Sequence, residues 1–274
     1  MSGAFKAACV QVTAGRDMAA NIEHAMGLIR QAADSGAEFV FLPENVSLLE
    51  SDQKMVPERA MYEEDHPALP AFSALANELG VWILVGSLSI RLSDERRAAN
   101  RSYLINAEGE VVASYDKIHL FDVNLANGET YKESDNFRPG DKAVLAETPW
   151  GKIGMTVCYD LRFPHLYRSL AQAGASFISI PAAFTRPTGA AHWHTLLRAR
   201  AIETGCYVFA PAQCGEHEGG RKTYGHSLII DPWGEVIEDA EEAPGIVSAV
   251  IDPKNVEKVR QRIPSLAHDR DFSF

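Results

Sequence analysis

Short apolar runs alternate with stretches of helical periodicity along almost the whole chain, and this alternation is the feature that most constrains the fold. Residues 39–42 form a continuous apolar run that Pro43 stops, as in a buried strand, whereas residues 21–33 carry apolar side chains at helical spacing. The same patterns predict further strands at 5–12, 81–90, 102–106, 111–115, 152–158, 176–180, 206–210, 226–230, 235–237 and 246–251, and further helices at 70–79, 163–173 and 192–203. This order predicts an α/β domain with both parallel and antiparallel strands.

The chain is long enough to form one domain without disulfides or a structural metal. With 274 residues it can bury roughly three quarters of the surface that its unfolded form exposes. It has no linker rich in proline, glycine or serine and no repeat, so we expect a single domain over residues 1–274. For residues 265–274, which carry Phe272 and Phe274 among charged side chains, we expect an arm onto a neighbouring subunit or a frayed tail.

Charge and composition disfavour several classes of partner. The 26 Lys and Arg residues against 37 Asp and Glu residues give a net charge of −11, which disfavours nucleic acid or an anionic membrane as the main partner. No apolar stretch reaches the roughly 20 residues that a membrane span needs. The four cysteines have no recurring spacing and are predicted to be free thiols in a reducing compartment, so we expect a cytoplasmic protein.

Three chemically reactive side chains lie at predicted strand ends. Cys158 closes one predicted strand and precedes a helix, while Glu44 and Lys117 each come just after another strand. Each has an ordinary alternative: a buried core thiol, a solvated carboxylate and a surface ammonium. Together they are complementary, because a glutamate can accept a thiol proton and a lysine can stabilise the oxyanion of a tetrahedral adduct.

Three motifs around these residues resemble the signatures of the nitrilase, or carbon–nitrogen hydrolase, superfamily. They are FLPEN at residues 41–45, YDKIHLFD at 115–122 and VCYDLRFP at 157–164, and they occur in the family's order with similar separations. The resemblance extends from about residue 5 to residue 252. It implies a four-layer α-β-β-α sandwich, paired as a homodimer that extends the sandwich or assembled into a larger homo-oligomer.

The resemblance also implies a catalytic triad. By this match Glu44 is the general base, Lys117 the oxyanion-stabilising cation and Cys158 the nucleophile, with the backbone N–H of Tyr159 as a further oxyanion donor. The implied reaction is the hydrolysis of the amide of a small molecule through a cysteine thioester. Neither a metal nor an organic cofactor is expected.

A second glutamate is implied in the polar loop at residues 120–139, which is long for a compact domain and therefore predicted to be functional. The segment YKES at 131–134 matches the family's segment and assigns this role to Glu133. Glu129, in the same loop, is the alternative.

The residues 194–204 and 224–234 most resemble the branch of the family that hydrolyses deaminated glutathione, the 2-oxo analogue of glutathione, to 2-oxoglutarate and Cys-Gly. This would be a metabolite-repair reaction. The alternatives are an omega-amidase that acts on 2-oxoglutaramate, or a hydrolase of nitriles or N-carbamoyl compounds. The segment 45–51 matches no substrate branch firmly and is expected to face the entrance of the pocket.

Both 2-oxo acid substrates need a cationic or hydrogen-bonding clamp for the acidic end of the molecule. Arg162, Arg186 and Thr185 are candidates, and Phe184 is a candidate for the pocket wall. For Arg162 an internal ion pair with Asp160 is the alternative, and for Phe184 it is a place in the core.

Three other classes of function compete with this interpretation. Cys–His catalysis could use one of the histidines at 119, 165, 192, 194 and 226. A metal or redox module could use Cys206, Cys214, His217 and His226, but their spacing matches no zinc motif, and His192 and His194 diverge on a helix. An interaction protein without activity is disfavoured because all three triad residues are intact.

Overall fold

Two six-stranded sheets form the centre of the molecule within residues 3–124, 128 and 130–273, the residues that the computed structural model describes. The first sheet contains β1 (Phe5–Gln11), β2 (Phe39–Phe41), β3 (Trp82–Arg91), β4 (Ala98–Ile105), β5 (Val111–Asp116) and the last strand, β16 (Gly245–Ile251). Its order is β16-β1-β2-β3-β4-β5, in which β1, β2 and β3 are parallel and the other pairs antiparallel.

The second sheet has the order β15-β14-β11-β10-β9-β8, with β9, β10 and β11 parallel. Its strands are β8 (Val144–Thr148), β9 (Gly151–Met155), β10 (Ala175–Ser179), β11 (Tyr207–Ala210), β14 (Leu228–Ile230) and β15 (Val236–Asp239). Two small hairpins form separate two-stranded sheets: β6 (Asp122–Asn124) with β7 (Thr130–Lys132), and β12 (Cys214–Glu216) with β13 (Lys222–Tyr224).

The described residues form six α-helices. They are α1 (Met18–Asp34), α2 (Val56–Arg59), α3 (Ala68–Leu79), α4 (Pro164–Gln172), α5 (Arg186–Thr204) and α6 (Lys254–Arg262). The helices α1 and α3 pack on the first sheet, and α4 and α5 pack on the second. As the sequence predicts, α3 and α5 end at Gly80 and Gly205, which adopt the left-handed conformation of a helix cap.

Aromatic side chains fill the space between the two sheets. The rings of Phe41 and Phe209 stack with their centroids 4.3 Å apart, and Phe5 meets Phe177 edge-on at 5.5 Å. All four are buried, and burying a phenylalanine contributes about 1.5–3 kcal/mol to stability. The layers therefore follow the order helix, sheet, sheet, helix that the family resemblance implied.

Several predicted elements differ from the structure. Strand β4 begins at Ala98 instead of residue 102, and β8, α2 and α6 were not predicted. The strand expected to end at Cys158 ends at Met155, and Cys158 instead opens a short 3-10 turn, Cys158–Arg162. Helix α5 begins at Arg186, six residues before the predicted start, because Pro187 fits the first turn of a helix. The short hairpins β6–β7 and β12–β13 were not predicted at all.

The remaining expectations concern membranes, thiols and assembly. Within the described ranges, no helix has the length and apolar character needed to cross a membrane. All four cysteines are buried and form no disulfide, as predicted. The start of the segment 265–274 contacts α4 of the same chain, where Arg168 pairs with Asp269 and Gln172 donates to the carbonyl oxygen of Leu266. The single domain, the dimer and the arm or tail stay predictions.

Candidate active site

The ends of the parallel strands of both sheets meet at a cavity that opens to solvent. Such a crevice beyond the carboxyl ends of parallel strands is the usual place for a ligand in an open α/β sheet. Six of the residues selected from the sequence line it: Glu44, Lys117, Glu133, Cys158, Phe184 and Thr185.

Two carboxylates hold the Lys117 ammonium inside this cavity. Its Nζ lies 2.9 Å from Oε1 of Glu44 and 2.9 Å from both carboxylate oxygens of Glu133. The Lys117 side chain is only 2% exposed and that of Glu44 only 4%. Because water reaches neither the Lys117 ammonium nor the Glu44 carboxylate, each charge is stabilised mainly by the other. These contacts hold the ammonium in one position.

Neutral donors fix the same two carboxylates. The Nδ2 of Asn100, in β4, donates to Oε1 of Glu44 at 2.9 Å and to Oε1 of Glu133 at 3.2 Å. The backbone N–H of Ala183 donates to Oε2 of Glu44, and that of Phe121 donates to Oε2 of Glu133. The sequence did not single out Asn100, whose side chain is buried against the site.

The Glu44 loop depends on a close approach between two backbone segments. A Cβ at Gly86, in β3, would lie 2.0 Å from the carbonyl oxygen of Leu42 and 2.4 Å from that of Pro43. Glycine is therefore required there. Next to it, Oγ of Ser87 accepts the backbone N–H of Asn45. The following segment lines the cavity, as predicted for 45–51, through Asn45, Leu48 and Glu50.

Cys158 has an unusual backbone conformation, with a φ of 51°. Its N–H donates to the carbonyl oxygen of Pro181 at 2.9 Å. The turn that it opens is braced by Asp160, whose Oδ2 accepts the hydroxyl of Tyr115 at 2.7 Å and the N–H of Val157 at 2.8 Å. A left-handed non-glycine residue is strained, and such strain persists only where the surroundings hold it, most often at functional sites.

Electrostatics set the protonation states of the triad. Burial would raise the pKa of Glu44, but the Lys117 ammonium outweighs it and holds this pKa below its ordinary value. Burial would lower the pKa of Lys117, but Glu133 and Glu44 raise it well above its ordinary value. Burial and the Glu44 carboxylate raise the pKa of the Cys158 thiol. At neutral pH the site therefore holds a thiol, a carboxylate that interacts with it, and an ammonium.

The other sequence-selected residues lie in different places. Phe184 and Thr185 line the cavity, but Arg162 and Arg186 are not among its lining residues. The Arg162 guanidinium lies against the rings of Tyr159 and Phe184, at 5.8 and 5.4 Å, and does not form the alternative ion pair with Asp160. Glu129, the alternative second glutamate, lies outside the described residues.

The sequence did not single out Arg221, the cavity's other lining cation within the described residues besides Lys117. It lies between β12 and β13. One terminal nitrogen donates to the carbonyl oxygen of Ala183 at 2.8 Å, while Nε is buried without a hydrogen-bond partner. Nothing in the local sequence, a glycine-rich turn at 219–222, marks it as a pocket residue.

The alternative of Cys–His catalysis finds no support in this geometry. Of the residues that the structure describes, those lining the cavity include no histidine. His119 lies nearest in sequence to the triad lysine, but its Nδ1 is 2.7 Å from Oδ1 of Asp160 and its ring stacks on Phe163.

Comparison with known proteins decides the family. The sequence profile of the carbon–nitrogen hydrolase family matches residues 6–261. The chain belongs to the carbon–nitrogen hydrolase family. It is therefore an enzyme that hydrolyses carbon–nitrogen bonds, as the motifs predicted.

Relatives of this carbon–nitrogen hydrolase match over nearly its whole length. The deaminated glutathione amidase of Synechocystis sp. is 42% identical over 268 residues, which are 96% of this chain and 97% of the relative. The crystal structure of Saccharomyces cerevisiae Nit3, a member of branch 10 of the nitrilase superfamily, matches with a TM-score of 0.89 at 29% identity and covers 99% of this chain and 98% of that one. The Caenorhabditis elegans NitFhit protein matches with a TM-score of 0.92 at 35% identity, and the match covers 98% of this chain and 66% of that one.

Proposed function

We propose that this carbon–nitrogen hydrolase cleaves deaminated glutathione to 2-oxoglutarate and Cys-Gly through a thioester on Cys158. The observation that carries this proposal is a buried Glu–Lys–Cys cluster in a cavity that is also lined by Arg221, a guanidinium without an ion-pair partner among the described residues. The relation to the Synechocystis amidase, at 42% identity, supports the choice of substrate.

The first half of the reaction forms the thioester. Glu44 takes the proton of the Cys158 thiol, and the sulfur attacks the carbonyl carbon of the amide. The oxyanion receives hydrogen bonds from Lys117 and from the backbone N–H of Tyr159, which lies in the first turn of the 3-10 segment, where N–H groups have no partner within the turn. Glu44 then passes its proton to the departing nitrogen, and the amine Cys-Gly leaves.

The second half releases the acid. Glu44, again a carboxylate, takes a proton from a water molecule that attacks the thioester carbon, and the returning sulfur recovers that proton. Glu133 contributes by position, because both its oxygens lie 2.9 Å from Nζ of Lys117 and hold the ammonium toward the oxyanion.

The ion pairs already formed in the cavity indicate that Arg221 binds the substrate's carboxylate. Lys117 is already balanced by Glu44 and Glu133, and the cavity carboxylate Glu50 is paired with Arg16 and Arg59. Arg221 also lines the cavity, and no ion-pair partner of it is found among the described residues. A carboxylate beside a keto group fits an arginine because the guanidinium binds planar anions through parallel hydrogen bonds.

Neighbouring hydroxyls complete this part of the cavity. The hydroxyl groups of Thr185 and Thr188 lie 2.8 Å apart at its wall, and either can turn to donate to a ligand oxygen. Thr185 thus keeps the clamp role that the sequence proposed for it, whereas the cationic part of the clamp moves from Arg162 and Arg186 to Arg221.

The test measures the release of 2-oxoglutarate from deaminated glutathione and from 2-oxoglutaramate. Both substrates carry the same acyl group and form the same thioester, so they differ only in the leaving group. We expect a higher kcat/KM for deaminated glutathione, with similar kcat values if hydrolysis of the thioester limits the rate. Cys158→Ala should be inactive on both, whereas Cys206→Ala, which removes a buried thiol outside the cavity, should keep its activity.

Other outcomes would change the proposal in defined ways. A higher kcat/KM for 2-oxoglutaramate would identify an omega-amidase and overturn the assigned leaving group. Activity on neither substrate would overturn the acyl group as well, and nitriles and N-carbamoyl compounds would be tested next. The proposed cytoplasmic location can be checked by fractionating cells and assaying each fraction with an antibody.

A further inference from the structure

We propose that His194, His226 and Asp239 form a binding site for a divalent transition metal, with zinc as the expected ion. The three residues come from different elements: His194 from α5, His226 from the segment before β14, and Asp239 from the end of β15. None of them lines the catalytic cavity. The site is therefore separate from the amide hydrolysis proposed above.

The donor atoms already converge. Nε2 of His194 lies 3.1 Å from Oδ2 of Asp239, and Nδ1 of His226 lies 2.9 Å from Oδ1. One donor atom of each residue lies within 4.8 Å of the other two. In tetrahedral zinc sites, metal–ligand distances of 2.0–2.2 Å place neighbouring ligand atoms about 3.3 Å apart. The two short separations need to open by only a few tenths of an ångström to admit the ion.

His226 is held in place independently of its ring nitrogen. Its φ is 54°, its N–H donates to the carbonyl oxygen of Glu241 at 2.6 Å, and its carbonyl oxygen accepts Nε1 of Trp193 at 2.7 Å. Its ring also stacks on Tyr224, with centroids 4.4 Å apart. A strained backbone conformation fixed on several sides indicates that the direction of this ring matters.

A backbone hydrogen bond also orients the carboxylate of Asp239. Its Oδ1 accepts the backbone N–H of Glu241 at 2.8 Å, so the carboxylate faces both imidazoles before any ion binds. Backbone support of a ligating carboxylate is what a metal site requires of its outer shell.

The site is open on one side, which leaves room for water or another ligand to complete the coordination. The side chains of His194, Asp239 and His226 are 35%, 29% and 18% exposed. Two imidazoles and one carboxylate suit zinc, and three protein ligands with an open position are common for this ion. A bound ion would join α5 to β15, the edge strand of the second sheet.

The competing explanation is a metal-free network in which Asp239 accepts a hydrogen bond from each histidine. Equilibrium dialysis against zinc, followed by metal analysis, separates the two. The variants are His194→Gln, Asp239→Asn, the matched control His192→Gln on the exposed face of the same helix, and Cys158→Ala, which removes the catalytic thiol as a zinc ligand.

We expect one zinc ion per chain, bound in the micromolar range or tighter by the wild type, His192→Gln and Cys158→Ala. The affinity for zinc should fall about 100-fold or more in His194→Gln and Asp239→Asn. Loss of a residue that only supports a ligand typically lowers metal affinity about 10- to 100-fold, so a larger fall indicates loss of a ligand itself. Cobalt should give the strong visible absorption of a tetrahedral ion with the wild type and not with these two variants.

Far-UV circular dichroism of each metal-free variant checks that it is folded, and zinc should raise the melting temperature of only the proteins with an intact site. The proposal is wrong if zinc does not bind saturably. It is also wrong if binding disappears in Cys158→Ala, or if both folded variants, His194→Gln and Asp239→Asn, bind zinc like the wild type.

Discussion

Arg221 provides the sharpest test of how this carbon–nitrogen hydrolase selects its substrate. The change Arg221→Gln removes the guanidinium that we assign to the substrate's carboxylate, and with it the bond to the carbonyl oxygen of Ala183. Glutamine is polar and shorter, so the substitution exchanges a charged donor for a neutral one within the same cavity wall.

The magnitude follows from one hydrogen bond between the Arg221 guanidinium, which lines the cavity, and the substrate's carboxylate. A hydrogen bond to a charged group is worth about 1.5–3 kcal/mol. At 1.36 kcal/mol for each factor of ten, kcat/KM for an anionic 2-oxo acid amide should fall roughly 10- to 150-fold. A second contact from a terminal nitrogen would move the loss toward the upper end.

A neutral substrate separates recognition from general damage. Arg221 also helps to lower the pKa of Glu44, so its loss affects the base for every substrate. We therefore compare deaminated glutathione with an analogue whose 2-oxo carboxylate is replaced by a carboxamide. Arg162→Gln is the matched control, because Arg162 is an arginine near the cavity that does not line it.

The expected result is a loss confined to the anionic substrate and to Arg221→Gln. Equal losses on the anionic and the neutral substrate would show that Arg221 acts through Glu44 or through the local structure. A selective loss in Arg162→Gln instead would restore the clamp that the sequence proposed and refute the charge accounting in the cavity.

Four further predictions concern the triad, pH, stability and assembly. Cys158→Ala should abolish turnover, to below a thousandth of the wild-type kcat, with an unchanged circular dichroism spectrum, because the nucleophile is lost and a small buried side chain remains; comparable rates would exclude the thioester mechanism. The pKa of Glu44 is lowered and that of Lys117 is raised, so both groups stay charged at neutral pH. A profile of kcat/KM against pH should therefore be flat through neutrality and fall only below about pH 4.5, as the base becomes protonated; a limb near pH 7 would contradict these assignments. Burial lowers the pKa of His66 from 6.5 to about 4, so its neutral form stabilises the fold fully above pH 6.5. This contribution, about 3 kcal/mol in the free energy of unfolding, should be lost as the pH falls from 6.5 to 4, and urea titrations of His66→Asn should show a smaller loss over that range. Analytical ultracentrifugation should find a dimer, as the family resemblance implied, and a monomeric mass would refute it.

Much of the fold could be predicted because its signals are local. The apolar runs that became β1, β2 and β3 end within one residue of their predicted ends, since burial on both faces demands continuous apolar side chains. The three-residue strands of the small hairpins contain no continuous apolar run and were therefore not predicted. The start of α5 was missed for a different reason: Gly189 looks unfavourable for a helix, yet a Cβ there would lie 2.3 Å from the Tyr224 side chain. The need for glycine at position 189 therefore depends on the packing of β13 against the helix, which the local sequence does not show.

The sequence alone determined which chemical groups this enzyme can use and where along the chain they occur. A carboxylate, an ammonium and a thiol just beyond strand ends, within three family motifs, were enough to predict the triad and the class of reaction. Only the tertiary structure decided how these groups are held. Asn100 bridges Glu44 and Glu133, and Arg221 takes the position in the cavity that Arg162 and Arg186 do not occupy. The physical reason is that each triad residue lies just beyond a strand of its own sequence segment. A short motif is therefore enough to predict its type and its position. Residues such as Asn100 and Arg221 reach the site only because the folded chain brings distant segments together, and no local sequence pattern predicts this.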